Sequence, residues 1–260
     1  MALRFSKGLR NFINEGGSIK QALANGKILI YTGSQPVTAD DAIAGSLLVT
    51  ITKSSGTHTN EVRATGTVTL TGGAAGSVDT VTVNSVDILG GAVSYDTSLT
   101  VTAAAVAAKI NANPKNFLFV ATSDGAVITL TNKPGLGTLG NGWVVSATLT
   151  TITATYVNIG SGVTGVSPAN GLTFGDSAAG VLVRNPLETW SGTAVADGTA
   201  GWFRFVGSVS DSGAADSAEV YHRLDGNIAT SGANLNMSNT SIVTGAVQTV
   251  NAFSLTYPAA

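Results

Sequence analysis

The chain has 260 residues with no Cys, two His, 13 Lys or Arg, 15 Asp or Glu and 32 Gly, and only 11% of it is charged. Hydrophobic residues make up 43%, too many for a disordered chain, which needs low hydropathy and high net charge. The missing Cys excludes disulfides, thiolate zinc sites and cysteine nucleophiles together, and so thin a supply of acids, bases and imidazoles favours structural or binding work over catalysis.

Two short helices are expected first. Ser6 caps a helix reaching Glu15, with Leu9, Phe12 and Ile13 on one face and Gly16-Gly17 as its stop. Ser18-Ile19-Lys20-Gln21 has the form of a capping box, and Asn25-Gly26 closes the second helix. This segment lacks the apolar core of a signal peptide, and no stretch approaches the roughly 18 apolar residues of a membrane span. A soluble chain made without Sec export is therefore expected. Arg4, Lys7, Arg10, Lys20 and Lys27 face only Glu15 here, whereas residues 165–260 carry three Arg against seven carboxylates. Such a basic cluster can follow a phosphate backbone, but a solvated face or a docking arm for an acidic neighbour is the reading adopted. Neither nucleic acid nor membrane is expected as a partner.

From Ile28 the pattern turns to strands: Ile28 to Thr32, a polar turn with Pro36, Asp40 and Asp41, then Ser46 to Thr52. Further strands are expected over Gly66 to Thr71, Asp79 to Leu89, Val93 to Tyr95, Phe117 to Thr122, Ala126 to Thr131 and Trp143 through Tyr156. Val68 and Leu70 alternate with Thr67, Thr69 and Thr71, which gives a sheet with one buried and one hydroxyl-rich face. The interruption is Ser98 to Asn113, where Leu99, Ala103, Val106 and Ile110 recur at helical spacing before Pro114. Its alanines Ala104, Ala105, Ala107 and Ala108 are expected to approach a sheet. Later strands fall near Gly180 to Arg184, Gly201 to Val206, Ala218 to Leu224, Ala233 to Asn236 and Val247 to Tyr257. Trp202, Arg204 and Val206 share one face of their strand and Phe203 and Phe205 the other, so that strand is expected to be central.

Gly135-Leu136-Gly137-Thr138-Leu139-Gly140 spells a dinucleotide fingerprint, but Pro134 precedes it and no helix follows, so it reads as a loop between strands. His58 and His222 sit in polar, exposed-looking settings and carry no catalytic assignment. Asp40, Asp41, Asp211, Asp216, Glu219 and Asp225 lack any calcium-loop spacing and read as surface turn acids. The sequons at Asn236 and Asn239 are chance products of Asn/Ser/Thr richness. Trp143, Trp190 and Trp202 suit either a core or a stacking platform for carbohydrate. No catalytic residue, cofactor or metal ligand is assigned.

The opening Ile28-Leu29-Ile30-Tyr31-Thr32-Gly33-Ser34-Gln35-Pro36, with Thr38-Ala39-Asp40-Asp41 and Gly45-Ser46-Leu47-Leu48, resembles that of virion structural proteins of tailed bacteriophages. Gly198-Thr199-Ala200-Gly201-Trp202-Phe203-Arg204-Phe205, Leu224-Asp225-Gly226 and Leu235-Asn236-Met237-Ser238-Asn239-Thr240 are similar as well. The middle resembles a module inserted into many phage proteins, in Ala64 to Gly72, Val81-Thr82-Val83-Asn84, Tyr95-Asp96-Thr97, Ile110 to Pro114 and Gly140-Asn141-Gly142. The resemblance implies a mainly β protein: a jelly-roll-like or β-sandwich base of residues 1–60 plus 166–260, with the helical segment 1–26, and an inserted β-sandwich-type domain of residues 62–164 holding one helix. It also implies a non-enzymatic virion component, a capsid decoration or auxiliary surface protein working as a homo-oligomer.

The expected partners are other virion proteins, the major capsid protein or a tail or neck component. Arg4, Lys7, Leu9, Arg10, Phe12, Ile13 and Lys20 are the candidate assembly contact, with the base bound to the particle and the insert projecting outward. A host-surface glycan at Trp143 is the alternative partner, and a tail or neck position the alternative location. A glycosidase would need paired carboxylates in a groove, and no such pair is identifiable.

Overall fold

The structure is a computed structural model and describes residues 3–256. The chain forms two compact units, a base made of the segments up to Asn60 and from Pro168 onward, and an inserted unit, Glu61–Ser167. The fold is mainly β, with antiparallel, sandwich-type sheets and three helices among the described residues.

In chain order the base opens with β1 (Arg4–Phe5), α1 (Lys7–Asn14), α2 (Ile19–Leu23), β2 (Lys27–Thr32) and β3 (Leu47–Lys53). The inserted unit follows with β4 (Thr65–Gly72), β5 (Ser77–Val83), β6 (Val86–Asp87), β7 (Val93–Ser94), α3 (Leu99–Ala112), β8 (Phe119–Asp124), β9 (Val127–Asn132), β10 (Val145–Thr150) and β11 (Thr153–Val157). The base then resumes with β12 (Val181–Val183), β13 (Trp190–Thr193), β14 (Gly198–Val206), β15 (Arg223–Ala229), β16 (Leu235–Asn236), β17 (Ser241–Ile242), β18 (Val247–Thr249) and β19 (Ser254–Thr256). No described helix is long and apolar enough to cross a membrane.

The main sheet of the base runs β1-β15-β14-β2-β3-β13-β18, with β16 on β15 and β17 on β14, while β12 and β19 pair separately. β14 is central and buried on both faces, as its lack of polar alternation implies. Phe203 and Phe205 face a cluster with Phe174, Trp190 and Phe253, whose ring centroids lie 5.6–6.4 Å apart. Burying aromatic area of this kind is the strongest single source of cohesion in such a core. On the opposite face Trp202 stacks on Tyr31 at 4.7 Å. Burial pushes the Tyr31 phenol up to about 12.

In the inserted unit, β10-β5-β6, with β7 also on β5, faces β11-β4-β9-β8. Val68, Leu70, Ile128 and Leu130 from one sheet meet Val78, Val81, Val83 and Val145 from the other. Ser98 caps α3 by accepting the Val101 N–H. Contrary to expectation, Ala104, Ala105 and Ala108 are exposed; Thr102, Ala103, Val106, Ala107 and Ile110 form the buried stripe. Val106 and Ile110 remove more apolar area from water than an alanine can and so set the inner face, which Ala103 and Ala107 share by their helical spacing.

Several expected strands are broken by local chemistry. Asp79 to Leu89 is a hairpin, because Asn84 and Ser85 adopt φ of 49° and 67° and Val83 pairs with Val86, the signature of a two-residue turn that matches strand twist. Trp143 to Tyr156 breaks at Thr151 (φ 64°), and its halves join different sheets. β15 starts at Arg223 and not at Ala218, because the Asp216 carboxylate takes the N–H groups of Val220 and Tyr221 at 3.2 and 2.9 Å. Val247 to Tyr257 divides into β18 and β19, and Tyr257 itself lies outside the described residues.

Candidate assembly surface

The N-terminal segment is part of the base core. β1 pairs with β15 in the register Arg4↔Asp225 and Phe5↔Leu224. Ser6, fully buried, accepts the N–H of Leu9 at 3.2 Å as the cap of α1, accepts the N–H of Arg223 at 3.0 Å and donates to Tyr221 O at 2.7 Å. α1 docks so closely on this segment that a Cβ on Gly8 would lie 2.6 Å from Tyr221 O. α2 carries the full capping box, with Ser18 Oγ accepting the Gln21 N–H and Gln21 Oε1 accepting the Ser18 N–H.

Beside β1 lies an open groove of about 670 Å³ lined by Leu3, Arg4, Phe5, Lys7, Arg10 and the loop Val37 to Asp41. Among the described residues β1 pairs with β15 alone, so its other edge borders the groove. The loop that forms the far wall is fixed from beneath. Arg204 forms two hydrogen bonds to the Asp225 carboxylate, at 2.8 and 2.7 Å, and donates from both Nη atoms to Asp41 O at 3.2 Å. Arg223 grips Asp211 in the same manner at 2.7 and 2.6 Å and donates to Ala39 O at 3.3 Å. Both guanidiniums are fully buried, and such forks satisfy a carboxylate and a carbonyl at once. Desolvation works against the Arg223 charge, but the Asp211 hydrogen bond and nearby carboxylates outweigh it and raise its pKa. Asp40 accepts the Lys7 N–H at 2.9 Å and ties the loop to α1. The wall is thus pinned at Ala39, Asp40 and Asp41, and Val37 at its end is 80% exposed at the groove.

Of the residues singled out by sequence, Arg4, Lys7 and Arg10 line this groove. Arg4 donates to Pro36 O, and Lys7 pairs with Glu219 at 2.8 Å, a hydrogen bond that raises the Lys7 pKa and lowers that of Glu219. Leu9 cannot be a contact residue, because its side chain is fully buried in the base core, and Phe12 and Ile13 pack partly buried against that core. Lys20 pairs with Asp176 at 3.3 Å and does not line the groove. Sequence reasoning missed Val37, whose only signal was its position as an apolar residue among Pro36, Thr38 and Asp40.

The acids read as surface turns divide differently. Asp225 is fully buried and Asp216 is buried, while Asp211 and Asp225 hold the two arginines. Burial pushes the Asp225 carboxyl up, against the pull of Arg204 and Arg223. Neither histidine is exposed: His222 is buried against Phe12, and half-buried His58 places Nε2 3.1 Å from Asn25 O. Among the described residues, no three His, Asp or Glu side chains gather to hold a metal ion.

In the inserted unit the G-x-G-x-x-G stretch is a loop, as its context implies. Its Gly135 and Gly137 N–H groups donate to the two carboxylate oxygens of buried Glu61, each at 2.7 Å. Trp190 and Trp202 are fully buried core residues. Trp143 is half-buried, edge-on to Phe119 at 6.4 Å, in a separate apolar pocket of about 130 Å³ that also exposes Val86 and Phe117. The Asn116 amide at that pocket is already bonded to Ile110 O and Phe119 O, so it has little to offer a sugar hydroxyl.

No family model and no curated protein matches this chain.

Proposed function

We propose that the protein is a non-enzymatic structural component of a tailed-phage virion, a capsid decoration or auxiliary surface protein, and that its base docks on a neighbouring virion protein through the groove beside β1. The observation that carries the docking site is the combination of an open strand edge with a wall pinned by two buried arginines. An extended segment of a partner can add to β1 by main-chain hydrogen bonds, as edge strands commonly allow. Arg4, Lys7 and Arg10 outnumber Asp40 and Asp41 in the lining, and those two carboxylates accept the Lys7 and Thr38 N–H groups, so an acidic segment is favoured, with exposed Val37 as its one apolar contact. The virion class rests on the resemblance of the base and insert segments to phage structural proteins.

Removing residues 2–26 is not a clean test, since β1 is paired with β15 and Ser6 and Leu9 are fully buried. The surface pair Arg10→Glu with Val37→Asp leaves those residues in place. Incorporation into gradient-purified particles, read by quantitative mass spectrometry, is expected to fall by about tenfold or more, the change a loss of roughly 1.4 kcal/mol gives. Unchanged incorporation of the folded variant removes the groove from the proposal. Absence of the wild-type protein from purified particles removes the virion reading altogether, and antibody labelling of head against tail separates decoration from a tail or neck position.

A further inference from the structure

One side of the inserted sandwich presents two strand edges in succession. Among the described residues β10 pairs only with β5, and β11 only with β4. The two strands meet at the corner Thr151-Ile152, and Tyr156 reaches from β11 to donate its hydroxyl to Ala147 O on β10 at 3.3 Å. Natural sheets guard such edges with Lys, Pro, inward charges or bulges. Here each strand has one bulge, at Thr148/Leu149 and at Thr153/Ala154, both at the corner end.

Beyond the bulges the edge is unguarded. No Asp, Glu, Lys, Arg or His occurs anywhere between Lys133 and Asp176, and residues 144–157 contain neither Pro nor Gly. Thr155, Tyr156 and Val157 are strong strand formers, and Tyr156 and Val157 are each 37% exposed. Past Val157 the edge closes, because Ile159 donates its N–H to Trp143 O at 3.0 Å and accepts the Gly142 N–H at 2.7 Å, so the open stretch is β11 itself.

We propose that β11 pairs antiparallel with β11 of a second copy of this chain about a two-fold axis at Thr155, joining two four-stranded sheets into one. The charge pattern selects this occupant. A two-fold contact brings each surface against itself, so any charge near the axis would meet its like, and like charges directly opposite one another destabilise a strand pair. A neutral edge with neutral flanks meets no such repulsion, whereas an acidic or basic partner finds nothing here to complement. Asp79, on the strand next to β10, is held by the Ser77 and Thr150 hydroxyls at 2.5 and 2.8 Å.

The test is the mass of the full chain by sedimentation equilibrium. Wild type is expected to dimerise, and Thr155→Lys, which sets two like charges at the axis, to raise the dimer Kd by at least about tenfold. Thr122→Lys, at an exposed position of β8 on the opposite edge of the same sheet, should leave it unchanged. Because the native chain has no Cys, Thr155→Cys supplies a single thiol whose oxidation should give a disulfide-linked dimer, and Thr122→Cys should not. A wild type that stays monomeric overturns the proposal, as does equal cross-linking by the two Cys variants. Should Thr155→Lys fail to fold, as judged by circular dichroism, the cross-linking result decides.

Discussion

The base buries charge against charge, whereas the inserted unit keeps nearly all of its charge at the surface. In the base, Arg204 and Asp225 lie at 0% exposure, and Arg223 meets Asp211 beside them. In the inserted unit the core is a sandwich of Val, Ile, Leu and Ala, and the buried carboxylate of Glu61 accepts two glycine amides. The difference shows what a buried ion pair can do that an apolar core cannot. Once a guanidinium has satisfied its carboxylate it still has donors left, and in the base these fix the carbonyls of Ala39 and Asp41. An apolar core fixes only what packs on it, so in the inserted unit the loop 134–140 is held by the single carboxylate of Glu61, and the outer strands β10 and β11 carry no charge.

The largest effect should come from breaking one charge pair. Asp225→Ala leaves Arg204 buried without its carboxylate, which costs about 3–5 kcal/mol, while replacing both partners by apolar residues of similar volume costs far less. Denaturant titration should show that order. Hydrogen exchange should place the loss in β14, β15 and the loop Val37 to Asp41, with β4 and β9 still protected. Equal loss in both units would break the comparison.

A smaller effect is expected in the inserted unit from Glu61→Gln. The carboxylate accepts N–H groups from Gly135 and Gly137 with separate oxygens. A glutamine keeps one acceptor and loses the charge, and a hydrogen bond to a charged group is worth about 1.5–3 kcal/mol. A loss of about 1–3 kcal/mol is expected, with faster amide exchange confined to the loop 134–140. Loosening of the base as well would show that the two units are not held independently.

The elements that could be read from the sequence are those set by near neighbours. The alternation of Val68 and Leu70, the α3 stripe with its Ser98 cap and the capping box at Ser18 all depend on residues at most a few turns away. What could not be read depends on distant partners. Asp225 looked like a turn acid because Arg204 lies 21 positions earlier, and Leu9 looked like a docking residue because its helix packs on segments more than two hundred positions on. Arg4, Lys7 and Arg10 were visible as a basic cluster, but the wall opposite them is built by Arg204 and Arg223, whose hydrogen bonds no local pattern encodes. The neutral stretch from Pro134 to Gly175 was visible in the sequence; that it supplies two adjacent strand edges was not.

The smallest expected effect is a difference in acid sensitivity. Glu188, 7% exposed, takes the Thr173 N–H at 2.9 Å, the Trp190 indole N–H at 3.3 Å and an ion pair with Lys53 at 3.3 Å. Burial opposes its charge, but the Thr173 hydrogen bonds and Lys53 outweigh burial and hold the carboxyl below its ordinary value of 4.5. Between the two values the unfolded chain binds more protons than the folded one, so stability there rises with pH. The contribution of Glu188 is complete above 4.5 and is lost as the pH falls through the folded value. Asp79 of the inserted unit shifts in the same direction through the Ser77 and Thr150 hydroxyls, but on the solvent side of its strand, where screening leaves little to lose. The stability advantage of wild type over Glu188→Gln, measured by denaturant midpoints at falling pH, should therefore shrink, while Asp79→Asn should track wild type throughout. A Glu188→Gln difference that stays constant with pH would mean that the carboxylate acts through its shape and not its charge, and would remove acid sensitivity from the contrast between the two units.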